Sequence, residues 1–108
     1  MPDHTLGEFE EVVMLTVAIL HDNAYTVTII NEMEERLNRK ASIGAVQTVL
    51  RRLEEKGMLK SAFGEATHVR GGKRKRYFKL TSLGSKVLKD TKEQRIGLWK
   101  AIPKLSFT

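Results

Sequence analysis

Cysteine is absent from the 108 residues of this chain. That absence excludes a disulfide framework, a thiol nucleophile and a thiolate metal site. No apolar run is long enough to cross a bilayer, and the start "MPDHTLGEFEEVV" lacks the basic region and the cleavage site of a secretory signal. These features are typical of a cytoplasmic protein, and we predict that location.

The sequence also lacks the residue groupings that catalysis requires. His4, His21 and His68 are scattered, without metal-ligand spacing or a neighbouring set of carboxylates. The stretch "RGGKRKR" has neither the spacing of a P-loop nor its terminal Ser or Thr. We interpret the paired glutamates as solvated charges on helix surfaces: Glu10, Glu11, Glu34, Glu35, Glu54 and Glu55. We therefore predict a protein that is not an enzyme and that has no cofactor and no metal.

The chain instead has an uneven distribution of charge. With 41% hydrophobic and 30% charged residues, its length suits one small folded domain. Residues 1–40 hold eight acidic and three basic residues, whereas residues 41–108 hold five and sixteen, so the net charges are −5 and +11. This asymmetry favours a partner with many negative charges, such as a nucleic acid. A membrane surface and a solvated basic face without a partner are the alternatives.

Apolar residues at steps of three and four predict three helices in the first half of the chain. The first runs from about Leu6 to Leu20, the second from a cap at Thr26 to Asn38, and the third from a cap at Ser42 to a stop at Gly57. The residues predicted to line these helices at helical spacing are Leu6, Phe9, Val12, Val13, Thr16, Ile19 and Leu20; Tyr25, Val27, Ile30, Met33, Glu34 and Leu37; and Ile43, Val46, Leu50 and Leu53.

A β-hairpin and a last helix are predicted to follow. The stretches "MLKSAFGEA" and "RKRYFKLT" have strand patterns, with Phe63, Phe78 and Leu80 facing the core and "THVRGG" at the tip. Ser82 is predicted to cap a helix that ends near Pro103. Three helices, a hairpin and a further helix give a mainly α fold with a small β-hairpin, which is the order of a winged helix-turn-helix.

In that architecture the third helix enters the major groove of DNA and the hairpin contacts the flanking backbone. Six of the fifteen residues from Thr67 to Thr81 are basic and none is acidic. On the third helix, Gln can pair with adenine and Arg with guanine. The predicted DNA-binding residues are Ser42, Ala45, Gln47, Thr48, Arg51, Arg52, Arg70, Lys73, Arg74, Lys75 and Arg76. The alternatives are a solvated helix face and a strand edge protected by charge.

Three separated blocks of the sequence, between about Leu6 and Leu88, resemble the PadR family of bacterial transcriptional regulators in its short form. They are "LGEFEEVVMLTVAILHDNAYTVTIINEMEER", "SIGAVQTVLRRLEEKGML" and "GGKRKRYFKLTSLGSKVL". Two places depart from the family pattern: Thr26 stands where a glycine usually follows the tyrosine, and Val46 and Gln47 replace a common Leu-Tyr pair. That tyrosine tends to contact DNA in relatives, so a different operator is expected.

The resemblance implies a homodimer that usually represses transcription. It divides the chain into a winged helix-turn-helix at 1–81 and a dimerisation helix at 82–108. The interface residues predicted on the last helix are Val87, Leu88, Thr91, Ile96, Leu98, Trp99 and Ile102. Two-fold symmetry predicts a pseudo-palindromic DNA operator. In some short relatives a tryptophan of this helix stacks flat aromatic drugs, so Trp99 and Ile96 are the candidates for a small aromatic effector; ordinary interface packing of Trp99 is the alternative.

Two other classes of protein remain open on the sequence alone. An RNA-binding or ribosome-associated winged-helix protein could use the same basic hairpin without reading an operator. A protein-interaction module could present it to an acidic partner. Both explain less, because neither accounts for the base-reading side chains predicted on the third helix or for the apolar surface of the last one.

Overall fold

The predicted order of helices and strands is confirmed. The computed structural model describes residues 5–64 and 74–104. Within those ranges the elements are α1 Glu8–Leu20, a 3-10 turn His21–Asn23, α2 Thr26–Leu37, α3 Ile43–Glu55, β1 Leu59–Phe63, β2 Arg76–Leu80 and α4 Ser82–Ala101. The strands pair antiparallel. We call the hairpin and its connection, residues 59–80, the wing; its predicted tip, "THVRGG", lies outside the described residues.

The ends of α3 follow the sequence signals. The Ser42 hydroxyl accepts a hydrogen bond from the Ala45 N–H at 3.1 Å, which satisfies one of the N–H groups left unpaired at a helix start. Beyond the other end, Gly57 has a φ of 79°, a left-handed conformation that strains residues with a side chain. Both the cap and the stop of this helix are therefore confirmed.

Two other predicted caps are wrong by one residue. α2 is preceded by Tyr25, whose N–H donates to the Thr28 hydroxyl at 3.0 Å, so Thr26 is already helical. α4 is capped by Thr81, which accepts from the Gly84 N–H at 3.0 Å, and Ser82 is its first residue. Neighbouring Thr and Ser can both cap a helix, so the sequence alone does not decide between Thr81 and Ser82.

One hydrophobic core joins all of these elements. Its members come from every α-helix, from both strands and from the segments just before α1, α2 and β1: Leu6, Val13, Met14, Val17, Ala24, Ile29, Met33, Val46, Val49, Leu50, Leu53, Met58, Leu59, Phe78 and Val87. Four residues that the helical pattern assigned to the core are instead half exposed or more: Ile19, Val27, Leu37 and Ile43. On α1, Met14 and Val17 take the buried face that the prediction gave in part to Ile19.

The wing and α4 are fastened to the rest of the domain by backbone contacts. The Phe78 N–H donates to the Ala24 carbonyl at 2.8 Å, which ties β2 to the segment before α2. The Thr81 hydroxyl donates to the Gly57 carbonyl at 2.6 Å. A Cβ on Gly84 would lie well under 3.0 Å from the carbonyl oxygen of Met58. The first turn of α4 therefore lies directly against the start of β1.

Candidate nucleic-acid interface

The outer side of α3 presents the side chains that the sequence predicted for base reading. Ala45, Gln47, Arg51 and Arg52 are exposed, and Thr48 is half-buried. Val46, Val49, Leu50 and Leu53 hold the opposite side in the core. The helix is thus anchored by one apolar stripe and offers amide, hydroxyl and guanidinium groups on the other side.

The two neighbouring arginines of α3 have different surroundings. Arg51 lines a pocket of about 270 Å³ together with Gln47 and with Arg76 of β2. Arg52 instead lies close enough to Glu10 of α1 for its charge to act on that carboxyl group. Arg51 is therefore the arginine of α3 that stands beside the wing, whereas Arg52 faces α1.

Glu10 is a partly buried carboxylate with several partners. Burial favours its neutral form, but hydrogen bonds from the Gly7 N–H and from Lys56, with the charges of Lys56 and Arg52, outweigh burial and lower its pKa. The Lys56 Nζ lies 3.0 Å from Glu10 Oε2. The interpretation of Glu10 as a solvated surface charge is therefore wrong, because this ion pair joins α1 to the end of α3.

Where the paired strands end, next to the connection between them, two arginines lie over one aromatic ring. The Cζ atom of Arg76 is 4.6 Å from the centroid of the Phe63 ring, and that of Arg74 is 5.6 Å away. The Arg74 Nε also donates to the carbonyl of Gly64 at 2.9 Å. Phe63 is 52% exposed, so the prediction that it faces the core is wrong. It shares a hairpin face with the buried Phe78, but the core does not cover it.

Glu54 connects α3 to both strands of the wing. Its Oε2 accepts a hydrogen bond from the Ser61 hydroxyl at 2.6 Å, and its Oε1 lies 3.8 Å from the Arg76 Nη1. Glu54 was interpreted as a solvated charge from its position in a Glu pair, and that interpretation is also wrong. Through these contacts the carboxylate fixes the wing at a set distance from the predicted reading helix.

Lys75 folds back onto the start of α2. Its Nζ donates to the Tyr25 hydroxyl at 3.2 Å and lies 4.5 Å from the centroid of the Tyr25 ring. The hydrogen bond with Tyr25 raises the pKa of Lys75. The Tyr25 ring also meets Tyr77 edge-on, at 5.4 Å between centroids. Of the remaining wing cations predicted to bind DNA, Arg70 and Lys73 lie outside the described residues.

α4 buries one side of its first half, whereas its second half is exposed. Val87 is buried and Leu88 packs against the core of the same chain, whereas Thr91 is half-buried. Leu98 and Trp99 are 71% and 64% exposed, and Ile96 and Ile102 are also exposed. A cleft of about 470 Å³ runs between the chain before α1 and α4, lined by Leu6, Leu83, Val87, Thr91, Arg95 and Leu98 among others.

Sequence reasoning missed several residues that shape this surface. Tyr25, Glu54 and Phe63 each contact a wing cation. No local signal announces the Tyr25 and Glu54 contacts, because they join residues 50 and 22 positions apart that only the fold brings together. Phe63 carried a usable signal: it is an aromatic residue on a strand whose partner is rich in arginine.

Two other kinds of site find no support in the described ranges. There, no group of three or more His, Asp or Glu residues could hold a metal ion. No single helix of that part of the chain is long and apolar enough to cross a membrane, and the segment from Glu8 to Leu37 meets the length and composition test only as two helices bent by 119°.

A basic wing beside a helix with an exposed polar side, on a three-helix base, defines a winged helix-turn-helix protein. Residues 14–90 match the transcriptional regulator PadR-like family. Because that match spans more than half of the chain, the protein belongs to the PadR-like family of transcriptional regulators, and the predicted family is confirmed. Regulators of this family are transcription factors that bind DNA.

Solved structures agree with this assignment. A PadR-like transcription factor from Bacteroides fragilis is 27% identical, with a TM-score of 0.72 over 85% of this chain and 84% of the other. A PadR family regulator from Clostridium difficile R20291 is 26% identical, with a TM-score of 0.68 over 85% and 92%. One from Eggerthella lenta, 24% identical with a TM-score of 0.70 over 94% and 88%, supports the fold alone. No curated protein matches the sequence significantly.

Proposed function

We propose that the protein is a homodimeric repressor that acts in the cytoplasm and reads a pseudo-palindromic operator with α3 while the wing contacts the flanking DNA backbone. The observation that carries this proposal is that Gln47 and Arg51 of α3 and Arg76 of β2 line one pocket. A base-reading helix and a phosphate-binding strand are thereby adjacent, as the winged-helix docking mode requires.

The assigned roles differ along this surface. Gln47 and Arg51 are the candidates for base contacts, since amide and guanidinium groups pair bidentately with adenine and guanine. Ser42, Ala45, Thr48 and Arg52 complete the predicted contact surface of α3. Arg74, Lys75 and Arg76, with Arg70 and Lys73, supply the charge for the backbone, which carries no sequence information of its own.

Dimerisation is proposed to use the exposed second half of α4. Ile96, Leu98, Trp99 and Ile102 leave apolar surface that this small domain does not cover. The proposed interface also includes Val87, Leu88 and Thr91, where α4 runs next to the core of its own chain. An aromatic effector bound near Trp99 and Ile96 would act by changing the separation of the two α3 helices, which sets the match to the half-sites.

The test is a fluorescence-anisotropy titration against the promoter duplex of the protein's own gene and against a shuffled duplex of equal length, at two salt concentrations. We expect preference for the promoter that persists at the higher salt and saturates at two chains per duplex. Equal, salt-sensitive binding to both duplexes would support charge contacts by the wing but leave the role of α3 unassigned, and structured RNA and other promoters would be tested next. Sedimentation of wild type and Leu98→Glu, with the exposed Lys92→Glu as control, tests the dimer: only Leu98→Glu should sediment as a monomer.

A further inference from the structure

Phe63 is a large apolar side chain on the surface, so burial in the core does not explain why an aromatic residue stands there. It is 52% exposed, and in the hairpin register it stands directly opposite Arg76. The guanidinium groups of Arg76 and Arg74 lie within 4.6 and 5.6 Å of its ring centroid. These distances fall within the range of cation–π attraction. The ring therefore contacts two positive charges.

Both arginines are held by a second contact as well. Arg74 donates through its Nε to the Gly64 carbonyl at 2.9 Å, and Arg76 lies 3.8 Å from Glu54. A guanidinium carries its N–H donors in its plane, so stacking on a ring leaves many of them available for a phosphate. An arginine that is already ordered loses less side-chain freedom when it binds, and the affinity rises accordingly.

We propose that Phe63 is a positioning residue for DNA binding, whose ring holds Arg74 and Arg76 with their donors directed to backbone phosphates. This inference rests on the proposed function, because the phosphates are those of the bound duplex. On this proposal one aromatic residue of the wing orders two arginine side chains. The basic residues of the wing then act as a fixed pair rather than as independent mobile charges.

The first test compares Phe63→Leu with Phe63→Tyr in the duplex titration. Leucine keeps apolar bulk and the net charge but has no aromatic face, whereas tyrosine keeps the face. We expect Phe63→Leu to weaken binding by about threefold to tenfold on promoter and shuffled duplexes alike, and Phe63→Tyr to bind within about twofold of wild type. Leu37→Ala, at another exposed apolar residue, is the control and should bind as wild type.

A double-mutant cycle shows whether the ring acts through the arginines. In a chain that carries Arg74→Ala and Arg76→Ala, Phe63→Leu should have no further effect on affinity. The same loss in both backgrounds would overturn the proposal, because the ring would then act on DNA or on the fold by itself. The proposal would also be overturned if Phe63→Leu bound duplex DNA with the same affinity as the wild type. Failure of the wild type to bind any duplex would overturn the proposed function.

A second readout needs no DNA. In the free protein the ring current of Phe63 should shift the NMR signals of the Arg74 and Arg76 side-chain methylene protons upfield. Phe63→Leu should return both sets to ordinary arginine positions, while Phe63→Tyr keeps them shifted. Signals at ordinary positions in the wild type would refute the stacked arrangement, whatever the duplex titrations give.

Discussion

Arg95 of α4 and Glu11 of α1 form an ion pair that joins two helices 84 residues apart in the chain. The Arg95 Nη2 lies 2.6 Å from Glu11 Oε1, and the Nε lies 3.2 Å from the same oxygen. The Glu11 side chain is only 17% exposed, so it is not the solvated charge that its sequence position indicated. The pair joins the second half of α4 to α1.

Removing this pair should loosen α4 more than it destabilises the domain. We expect Arg95→Ala to change the unfolding free energy little, because the arginine is half exposed and exposed ion pairs contribute little to stability. Amide hydrogen exchange in residues 91–101 should nevertheless become faster. Lys92→Ala, which removes a neighbouring exposed charge, is the control. Equal protection of α4 in the wild type and in Arg95→Ala would contradict the role given to the pair.

Gly84 should not tolerate any side chain. A Cβ there would lie well under 3.0 Å from the Met58 carbonyl oxygen, so Gly84→Ala forces α4 away from β1, and we expect a loss of about 2–3 kcal/mol in urea unfolding. Gly97→Ala in the same helix is the matched control. Nothing lies within 4 Å of a Cβ at Gly97, and replacing a helical glycine with alanine should stabilise by up to about 1 kcal/mol. Similar unfolding midpoints for the two variants would show that the close approach does not constrain the fold.

The wing arginines should contribute affinity without sequence preference. We expect the double change Arg74→Ala and Arg76→Ala to weaken binding to promoter and shuffled duplexes alike. It should also flatten the dependence of log affinity on log salt by about 1 for each phosphate that the protein no longer neutralises. The measurement is anisotropy over a series of salt concentrations. Lys60→Ala removes one exposed charge from the opposite face of the hairpin and should change the slope little. A weakening confined to the promoter duplex would instead assign these arginines to base reading.

Arg51 should contribute preference for the operator. Its guanidinium is exposed on α3 beside Gln47, and a bidentate contact to guanine is worth roughly 1–3 kcal/mol of discrimination. We expect Arg51→Ala to lower affinity for the promoter duplex about fivefold or more while affinity for the shuffled duplex falls much less. Arg52→Ala is the comparison on the same helix. If Arg51→Ala weakens both duplexes by the same factor, its contact is to phosphate.

Glu10 should give stability that depends on pH. Because its pKa is lowered in the folded chain, its charged form stabilises the fold above the ordinary glutamate pKa of about 4.3, and that contribution is lost as the pH falls through the lowered value. We expect Glu10→Gln to unfold more easily than wild type at pH 7, with the difference closing as the pH falls below the ordinary glutamate pKa and through the lowered one. Glu35→Gln, at an exposed position of α2, serves as the control. A difference that stays constant down to pH 3 would exclude the charge as its cause.

The order of elements could be predicted from the sequence because local residues mark where the elements begin and end. Ser42 marks the start of α3 through its capping hydroxyl, and Gly57 marks its end through its left-handed backbone; the structure confirms both. The buried face of α1 was harder to predict, since "VVMLTVAIL" is apolar on nearly every side and several stripes fit the helical period. Packing in the common core selects Met14 and Val17 and leaves Ile19 half exposed.

The sequence predicted those site residues that the helical pattern alone exposes. It missed those whose role depends on a contact with a residue far away in the chain. Gln47 and Arg51 are exposed because their helix buries the opposite side, which the pattern reveals. For Phe63 the alternation predicted the correct hairpin face, shared with Phe78, but not that the core ends before reaching it. Glu54 and Glu11 look like any helix-surface glutamate until the fold supplies Arg76 and Arg95.

The hydroxyl and the N–H of Thr81 donate to the carbonyls of Gly57 and Met58, which makes the first turn of α4 a fulcrum, the point about which the helix would pivot. The helix that extends from it has 20 residues and is therefore about 30 Å long. A pivot of about 5° at the fulcrum would carry the far end, near Trp99, through roughly 2.6 Å for that length. A displacement of the apolar end would in turn reach the base of the wing as a smaller movement, because the two lie at opposite ends of the helix.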